Sequence, residues 1–213
     1  MNSLIVELSS LSIMVPVIIG WARFKRSSPE LRPLLYILTI GFLNELLSHY
    51  LLYNGHWNVI NTNIYCLIEG CFIAGLFWRW NLFSRNILIG LVLFYLAFWI
   101  TETLLIYHIN RFSSYFIAGY STVTVLLTVS YINVLVWQEG DRLIKNPAFI
   151  ICIGFVIYYT YVVLIELFHL YGLGSPELSI RIYFIHSYIN LLCNLIYAVA
   201  FLWIPNKREF IRL

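Results

Sequence analysis

Long apolar runs separated by short polar segments occupy nearly the whole of this 213-residue chain. An α-helix needs about 20 apolar residues to cross a hydrocarbon core of about 30 Å, and each run has roughly that length. We therefore predict an all-α polytopic membrane protein, a bundle of seven transmembrane helices that forms one domain over residues 1–213. The predicted helices cover residues 2–22, 33–54, 58–78, 86–108, 115–137, 147–170 and 180–204.

The amino-acid composition supports a membrane-embedded chain. Hydrophobic residues make up 61% of it and charged residues only 11%, whereas soluble domains are about 25% charged. The four cysteines all fall inside apolar runs, where we expect small buried side chains and not disulfide partners. The net charge of +3 comes from bases at the ends of the runs and not from a basic patch. The lipid bilayer is therefore an expected partner, and nucleic acid is not.

Lysine and arginine alternate between dense and sparse loops along the predicted chain. Eleven of the thirteen bases lie after predicted helices one, three, five and seven, and the other side has only Arg111 and Arg181. Because cytoplasmic loops carry the excess of positive charge, we predict an N-terminus outside, a cytoplasmic C-terminus and a location in the plasma membrane. Tryptophan, which is enriched at membrane interfaces, agrees with this orientation. The tryptophans at the predicted inner interface are Trp21, Trp78, Trp80, Trp137 and Trp203.

Acidic residues inside the apolar runs are the most informative departure from the pattern. Five runs contain one glutamate each, and no lysine or arginine lies at membrane depth to neutralise them. An ionised group near the centre of a membrane helix costs about 2.5–3.5 kcal/mol. These carboxyls therefore require hydrogen bonds, protons or a bound cation. The five are Glu7, Glu45, Glu69, Glu102 and Glu166.

Polar side chains on the last two predicted helices are spaced by three, four or seven residues, which keeps them on one helix face. At a rise of about 1.5 Å per residue, these groups and most of the glutamates fall between the outer surface and the bilayer centre. We predict an outward-facing polar cavity that binds a small cationic ligand or an ion, as in a transporter or a receptor, without covalent chemistry. The predicted ligand-binding residues are Glu45, Glu69, Glu102, Tyr159, Glu166, His186, Asn190 and Asn194.

Two alternative functions fit the same residues. A carboxylate and an imidazole lie one helical turn apart at Glu45 and His49 and again at Glu166 and His169. Such groups bind zinc or iron. A metal-dependent enzyme acting on a lipid would use His49, Glu166, His169 and His186 as ligands. The other alternative is a structural or sensory subunit of an envelope complex, which would require partner membrane subunits.

A retinal cofactor is not expected in this bundle. Attachment through a Schiff base requires a lysine, and it would have to lie near the middle of a predicted helix. The only lysines, Lys25, Lys145 and Lys207, all lie at the predicted inner edge.

Overall fold

Helices account for all the regular secondary structure in the part of the chain that the computed structural model describes, residues 8–25, 29–106, 109–172 and 176–203. This confirms the predicted all-α architecture for these residues. Six of the helices, α2 to α7 below, are long and apolar enough to cross a membrane, as expected of a multi-pass helical membrane protein. The helices are α1 (Met14–Ala22), α2 (Arg32–Tyr53), α3 (Val59–Arg79), α4 (Arg85–Ile100), α5 (Ser114–Glu139), α6 (Pro147–Leu170) and α7 (Pro176–Leu202).

The six long helices begin and end within four residues of their predicted bounds, when α4 is counted with the wide helical turn that continues it over Thr101–Ile106. The first predicted span differs more. A short helical turn begins at Leu8, and α1 starts only at Met14. Residues 1–7 of that span, including Glu7, lie outside the described residues.

Prolines account for where two of the helices start. Pro16 has no N–H that could donate to the carbonyl of Ser12. The chain turns just before α1, where the amide of Val15 donates to that carbonyl at 3.0 Å. Pro147 is the first residue of α6, where a missing N–H does no harm. The side chain of Asn146 accepts a hydrogen bond from the amide of Ala148 at 2.8 Å and so caps this helix.

The helix contacts form a closed circuit, in which the first and last helices are neighbours. α1 packs against α2 and α7, and the circuit continues through α3, α5 and α6. α4 lies outside the circuit, against α3 and α5. α4 also exposes large apolar side chains such as Leu93 and Phe94, on the kind of surface that lipid would cover. The circuit therefore brings helices from both ends of the chain together around one interior.

A glycine allows α6 and α7 to approach each other closely. A Cβ atom added at Gly154 in α6 would lie 2.5 Å from Cε1 of Tyr197 in α7. The Tyr197 side chain is buried, and its ring centroid lies 5.8 Å from that of Phe155. The ring therefore has little room to move, and the contact requires glycine at this position.

We predict that Gly154→Ala lowers the free energy of unfolding by about 1–3 kcal/mol, because the added methyl overpacks the contact with Tyr197. Gly90→Ala is the matched control, since a Cβ at Gly90 in α4 meets nothing within 4 Å. It should change the free energy by less than about 0.5 kcal/mol. Denaturant titration of the purified protein in mixed micelles measures both values, and equal effects of the two substitutions would contradict the close contact.

Candidate functional site

The buried carboxyl of Glu69, near the middle of α3, is a meeting point of three helices. Tyr65 from the same helix donates a hydrogen bond to Oε1 at 2.9 Å, and Tyr120 from α5 donates one to Oε2 at 2.6 Å. Tyr159 from α6 lies beside this group, with its ring centroid 6.1 Å from that of Tyr120. The exposed fraction is 8% for Glu69 and 3% for both Tyr120 and Tyr159. We call these four residues the tyrosine–carboxylate cluster.

Helical spacing and two glycines explain how the phenols reach this carboxyl. Tyr65 and Glu69 are four residues apart and therefore share one face of α3. A Cβ at Gly41 in α2 would lie 2.9 Å from the hydroxyl oxygen of Tyr65, so glycine leaves the space that this hydroxyl uses. A Cβ at Gly70 would lie 3.4 Å from the ring of Tyr120, so α5 can bring its tyrosine close to α3.

Two more of the predicted acids lie around this cluster. Cys66 is an electrostatic neighbour of both Glu69 and Glu166. Tyr158 is an electrostatic neighbour of both Glu69 and Glu45. Glu45 and Glu166 are half-buried, whereas Glu69 is buried. Carboxyls from α2, α3 and α6 are thus brought into one region of the bundle, with Glu69 at its most enclosed point.

Glu102 has a different environment, at the start of α5. Its side chain is 2% exposed and belongs to the wide turn that follows α4. One carboxyl oxygen accepts the amide of Tyr115 at 2.9 Å, and the other accepts the amide of Phe116 at 2.5 Å. The first amides of a helix have no intrahelical partner and carry partial positive charge, so a carboxylate here stabilises the helix. Glu102 therefore serves as a cap of α5.

Asn190 and Asn194 hold the segment that leads into α1. The side-chain amide of Asn194 donates to Oγ of Ser12 at 2.8 Å, and that of Asn190 donates to the carbonyl of Ser9 at 3.3 Å. The two asparagines also contact each other at 3.4 Å. Both therefore use their amides to join α7 to the start of the bundle.

His186 lies among aromatic rings between α6 and α7. Its ring stacks on that of Tyr161 with 6.1 Å between centroids and an interplanar angle of 17°, and the ring of Tyr158 lies 5.8 Å away. Its Nδ1 atom is buried and has no hydrogen-bond partner among the residues that the structure describes. A buried imidazole nitrogen without a partner is costly.

The candidate metal ligands are not gathered into one group. Within the described ranges, no three His, Cys, Asp or Glu side chains are placed to hold a metal ion together. Glu45 and Glu166 are electrostatic neighbours of His49 and His169, respectively. The Nε2 atom of His49, however, lies 3.0 Å from Oγ of Ser10. The metal-enzyme alternative therefore has no three-ligand site in these residues.

Two residues that matter to this site were not among the predicted ones. Tyr120, Thr124 and Thr128 follow one another at intervals of four residues along α5. The Thr124 hydroxyl donates to the Tyr120 carbonyl, and the Thr128 hydroxyl donates to the Thr124 carbonyl. That spacing of four is visible in the sequence. Asn63 is fully buried, donates to the carbonyl of Arg111 at 2.8 Å and accepts from the amide of Ser113 at 3.1 Å. It fixes the connection between α4 and α5, and nothing in the local sequence indicates this long-range role.

A cavity of about 380 Å³ lies at one end of the bundle. It is formed where α3 and α5 end and α6 begins, which is the predicted cytoplasmic end. Its lining includes Arg79, Trp80, Tyr131 and Gln138. The predicted outward-facing cavity remains a prediction, and this inner one was not expected.

We predict that Glu102→Ala lowers the free energy of unfolding by about 1–2 kcal/mol, because it removes the acceptor for two amides at the start of α5. Leu105→Ala is the control, since Leu105 lies in the same wide turn and is 75% exposed. It should change the free energy by less than about 0.5 kcal/mol. Denaturant titration checks this, and wild-type stability of the Glu102 variant would contradict the capping role.

Comparisons with known proteins leave the function to be argued from this geometry. No protein-family model, no curated protein and no solved structure matches the chain. A helical bundle hosts many unrelated functions. The residues described above therefore carry the functional argument by themselves.

Proposed function

We propose that this chain is a multi-pass membrane protein that binds a small cation at the tyrosine–carboxylate cluster, the cation being a proton, a monovalent metal ion or a small ammonium group. The observation that carries the proposal is the Glu69 carboxyl, which is 8% exposed and accepts hydrogen bonds from phenols on two helices, α3 and α5. Buried carboxyls inside membrane helices mark ion and substrate pathways more often than they mark packing sites.

The balance of charge favours a cationic ligand. Phenols donate hydrogen bonds to a carboxylate but carry no positive charge, so an ionised Glu69 leaves the cluster with a net charge of about −1. The nearest base on α3 is Arg79, ten residues further along the helix, which corresponds to about 15 Å. Because an isolated charge is costly in a medium of low dielectric constant, a proton or another cation that neutralises the carboxylate would stabilise the cluster further.

The cost of burying an ionised Glu69 and the gain from its hydrogen bonds are of similar size, which suits a site that binds and releases its ligand. Placing an ionised group at the centre of a membrane helix costs about 2.5–3.5 kcal/mol. A hydrogen bond to a charged group contributes about 1.5–3 kcal/mol, so the two phenols of Tyr65 and Tyr120 can offset the cost of the anion. Carboxylate and phenol oxygens suit hard cations, and the faces of tyrosine rings attract ammonium groups. The cluster can therefore support both the occupied and the empty state.

The other predicted site residues fall into two groups in this proposal. The first group extends the site from Glu69 towards the predicted outer surface, and it comprises Glu45, Tyr159, Glu166 and His186. The second group already uses its polar atoms to hold helices in place, and we assign it to the frame of the site. It comprises Glu102, Asn190 and Asn194.

We further propose that the N-terminus faces the outside of the cell membrane and the C-terminus the cytoplasm. Eleven of thirteen lysines and arginines support this orientation, because they lie at one end of the predicted helices. In this orientation the half-buried carboxyls of Glu45 and Glu166 lie on the outer side of Glu69, and a ligand would enter from outside.

We expect Glu69→Gln to weaken cation binding by at least about tenfold, because it removes the charge that the ligand neutralises. Tyr120→Phe should weaken it by about three- to tenfold, since it removes one neutral donor. Isothermal titration calorimetry with the chlorides of sodium, potassium and tetramethylammonium measures both effects on purified protein in micelles.

Tyr53→Phe is the matched control for this experiment, because it also removes one phenol hydroxyl but at a position that is 91% exposed. It should leave the affinity for these cations within about twofold of the wild-type value. Two results together would contradict the proposal and favour a purely structural cluster. They are the absence of cation binding by the wild type and an equal loss of folded protein in the Glu69 and Tyr120 variants.

Single cysteines introduced at Trp57 and at Lys145 should react with membrane-impermeant reagents from opposite sides of sealed vesicles. Both positions are exposed, Trp57 in the connection between α2 and α3 and Lys145 in that between α5 and α6. The background protein needs its four native cysteines replaced, because Cys71 is only half-buried. Reaction at both positions from one side would refute the orientation.

A further inference from the structure

The cavity at the predicted cytoplasmic end has an unusual set of polar groups for a chain with so few charges. Among the side chains that the structure describes, its lining includes the carboxylate of Glu30 and the guanidinium of Arg79, and both are exposed. Asn81, Gln138 and Asn146 add amide groups to the lining. Charges of both signs and several amide groups therefore surround one volume of about 380 Å³, which lies within the range of small-molecule pockets.

The floor of the cavity is formed by aromatic and aliphatic side chains. Trp80 is 8% exposed, and its ring stacks on that of Tyr131 with 4.7 Å between centroids and an interplanar angle of 21°. The ring of Phe77 packs edge-on against Trp80 at 5.4 Å from behind. Leu135 closes the wall from α5 and is 3% exposed. A preformed aromatic floor under a charged rim can bind a ligand without a large ordering cost.

The signs of the charges restrict the class of ligand. A simple anion would meet the carboxylate of Glu30, and a simple cation would meet the guanidinium of Arg79. A ligand with one group of each sign can pair with both, because guanidinium donates to phosphate or carboxylate oxygens and a carboxylate accepts from an ammonium N–H. The rim also lies at the end of the bundle where the headgroups of a bilayer would begin, since Arg79 ends α3 and Arg85 begins α4.

We propose that this cavity binds a zwitterion in which a primary ammonium group lies a few ångströms from a phosphate, with Arg79 on the phosphate and Glu30 on the ammonium group. Phosphoethanolamine has this chemistry, and it could reach the cavity as the headgroup of a phospholipid or as a free solute. The site is separate from the tyrosine–carboxylate cluster, so either site can fail its test without affecting the other.

Two binding measurements distinguish the two sources. In the first, the protein is equilibrated with equal amounts of phosphatidylethanolamine and phosphatidylcholine, and retained lipid is counted by native mass spectrometry. Phosphatidylcholine is a zwitterion without an ammonium N–H, so it serves as the lipid control. In the second, lipid-free protein in maltoside micelles is titrated with free phosphoethanolamine by calorimetry. Preferential retention of one phosphatidylethanolamine supports the lipid source, and calorimetric binding supports the solute.

The variants test the two charges separately. We expect Glu30→Gln and Arg79→Gln each to weaken the observed binding by at least about tenfold, because each removes one charge-assisted hydrogen bond. Arg85→Gln is the matched control, since Arg85 is an exposed base at the same end and does not line the cavity. It should keep the affinity within about twofold. Affinities are compared at equal amounts of folded protein, as judged by denaturant titration.

Three results would overturn the proposal. One is the absence of binding by both the lipid and the solute. Another is binding that neither Glu30→Gln nor Arg79→Gln changes, which would place the ligand elsewhere. The third is binding that is lost in Arg79→Gln but kept in Glu30→Gln, which would indicate a site for simple anions.

Discussion

A carboxyl group in the interior of a membrane bundle must obtain from the protein, or from a ligand, what water would otherwise supply. Glu69 obtains hydrogen bonds from phenols on its own helix and on α5. The second of these contacts requires α3 to lie close to a helix that is distant in sequence. The glycine at 41 leaves space for the hydroxyl of Tyr65. The packing of the bundle and the environment of this one carboxyl are therefore parts of the same arrangement.

The remaining buried polar groups follow the same rule with different partners. Glu102 accepts two free amides at the start of α5, and Asn63 fixes the connection that leads to it. Asn194 bonds a serine just before α1. In each case a polar side chain satisfies backbone or hydroxyl groups that a membrane would leave without partners. Glu69 differs because its donors are tyrosine hydroxyls, whereas the donors to Glu102 are backbone amides at the start of a helix, which carry partial positive charge.

Much of the fold could be predicted from the chain, because the thickness of a membrane sets the length of each helix. The pairing of Tyr65 with Glu69 also follows from their spacing. Helix packing could not be predicted in the same way. The approach of Tyr120 depends on the packing of α5 against α3, which no periodicity shows. The capping role of Glu102 depends on a wide turn that changes the helical register. The inner cavity is lined by residues from several helix ends, including Asn81, whose φ is +59°.

Infrared difference spectroscopy of the carboxyl groups tests the central claim most directly. Spectra of the wild-type protein are recorded while protons or sodium ions are added, and the same spectra are recorded for Glu69→Gln. The account predicts that one carboxyl band changes between its protonated and ionised forms, and that this change is absent in the variant. A carboxyl spectrum that does not respond to either cation, or a response that persists in Glu69→Gln, would contradict it.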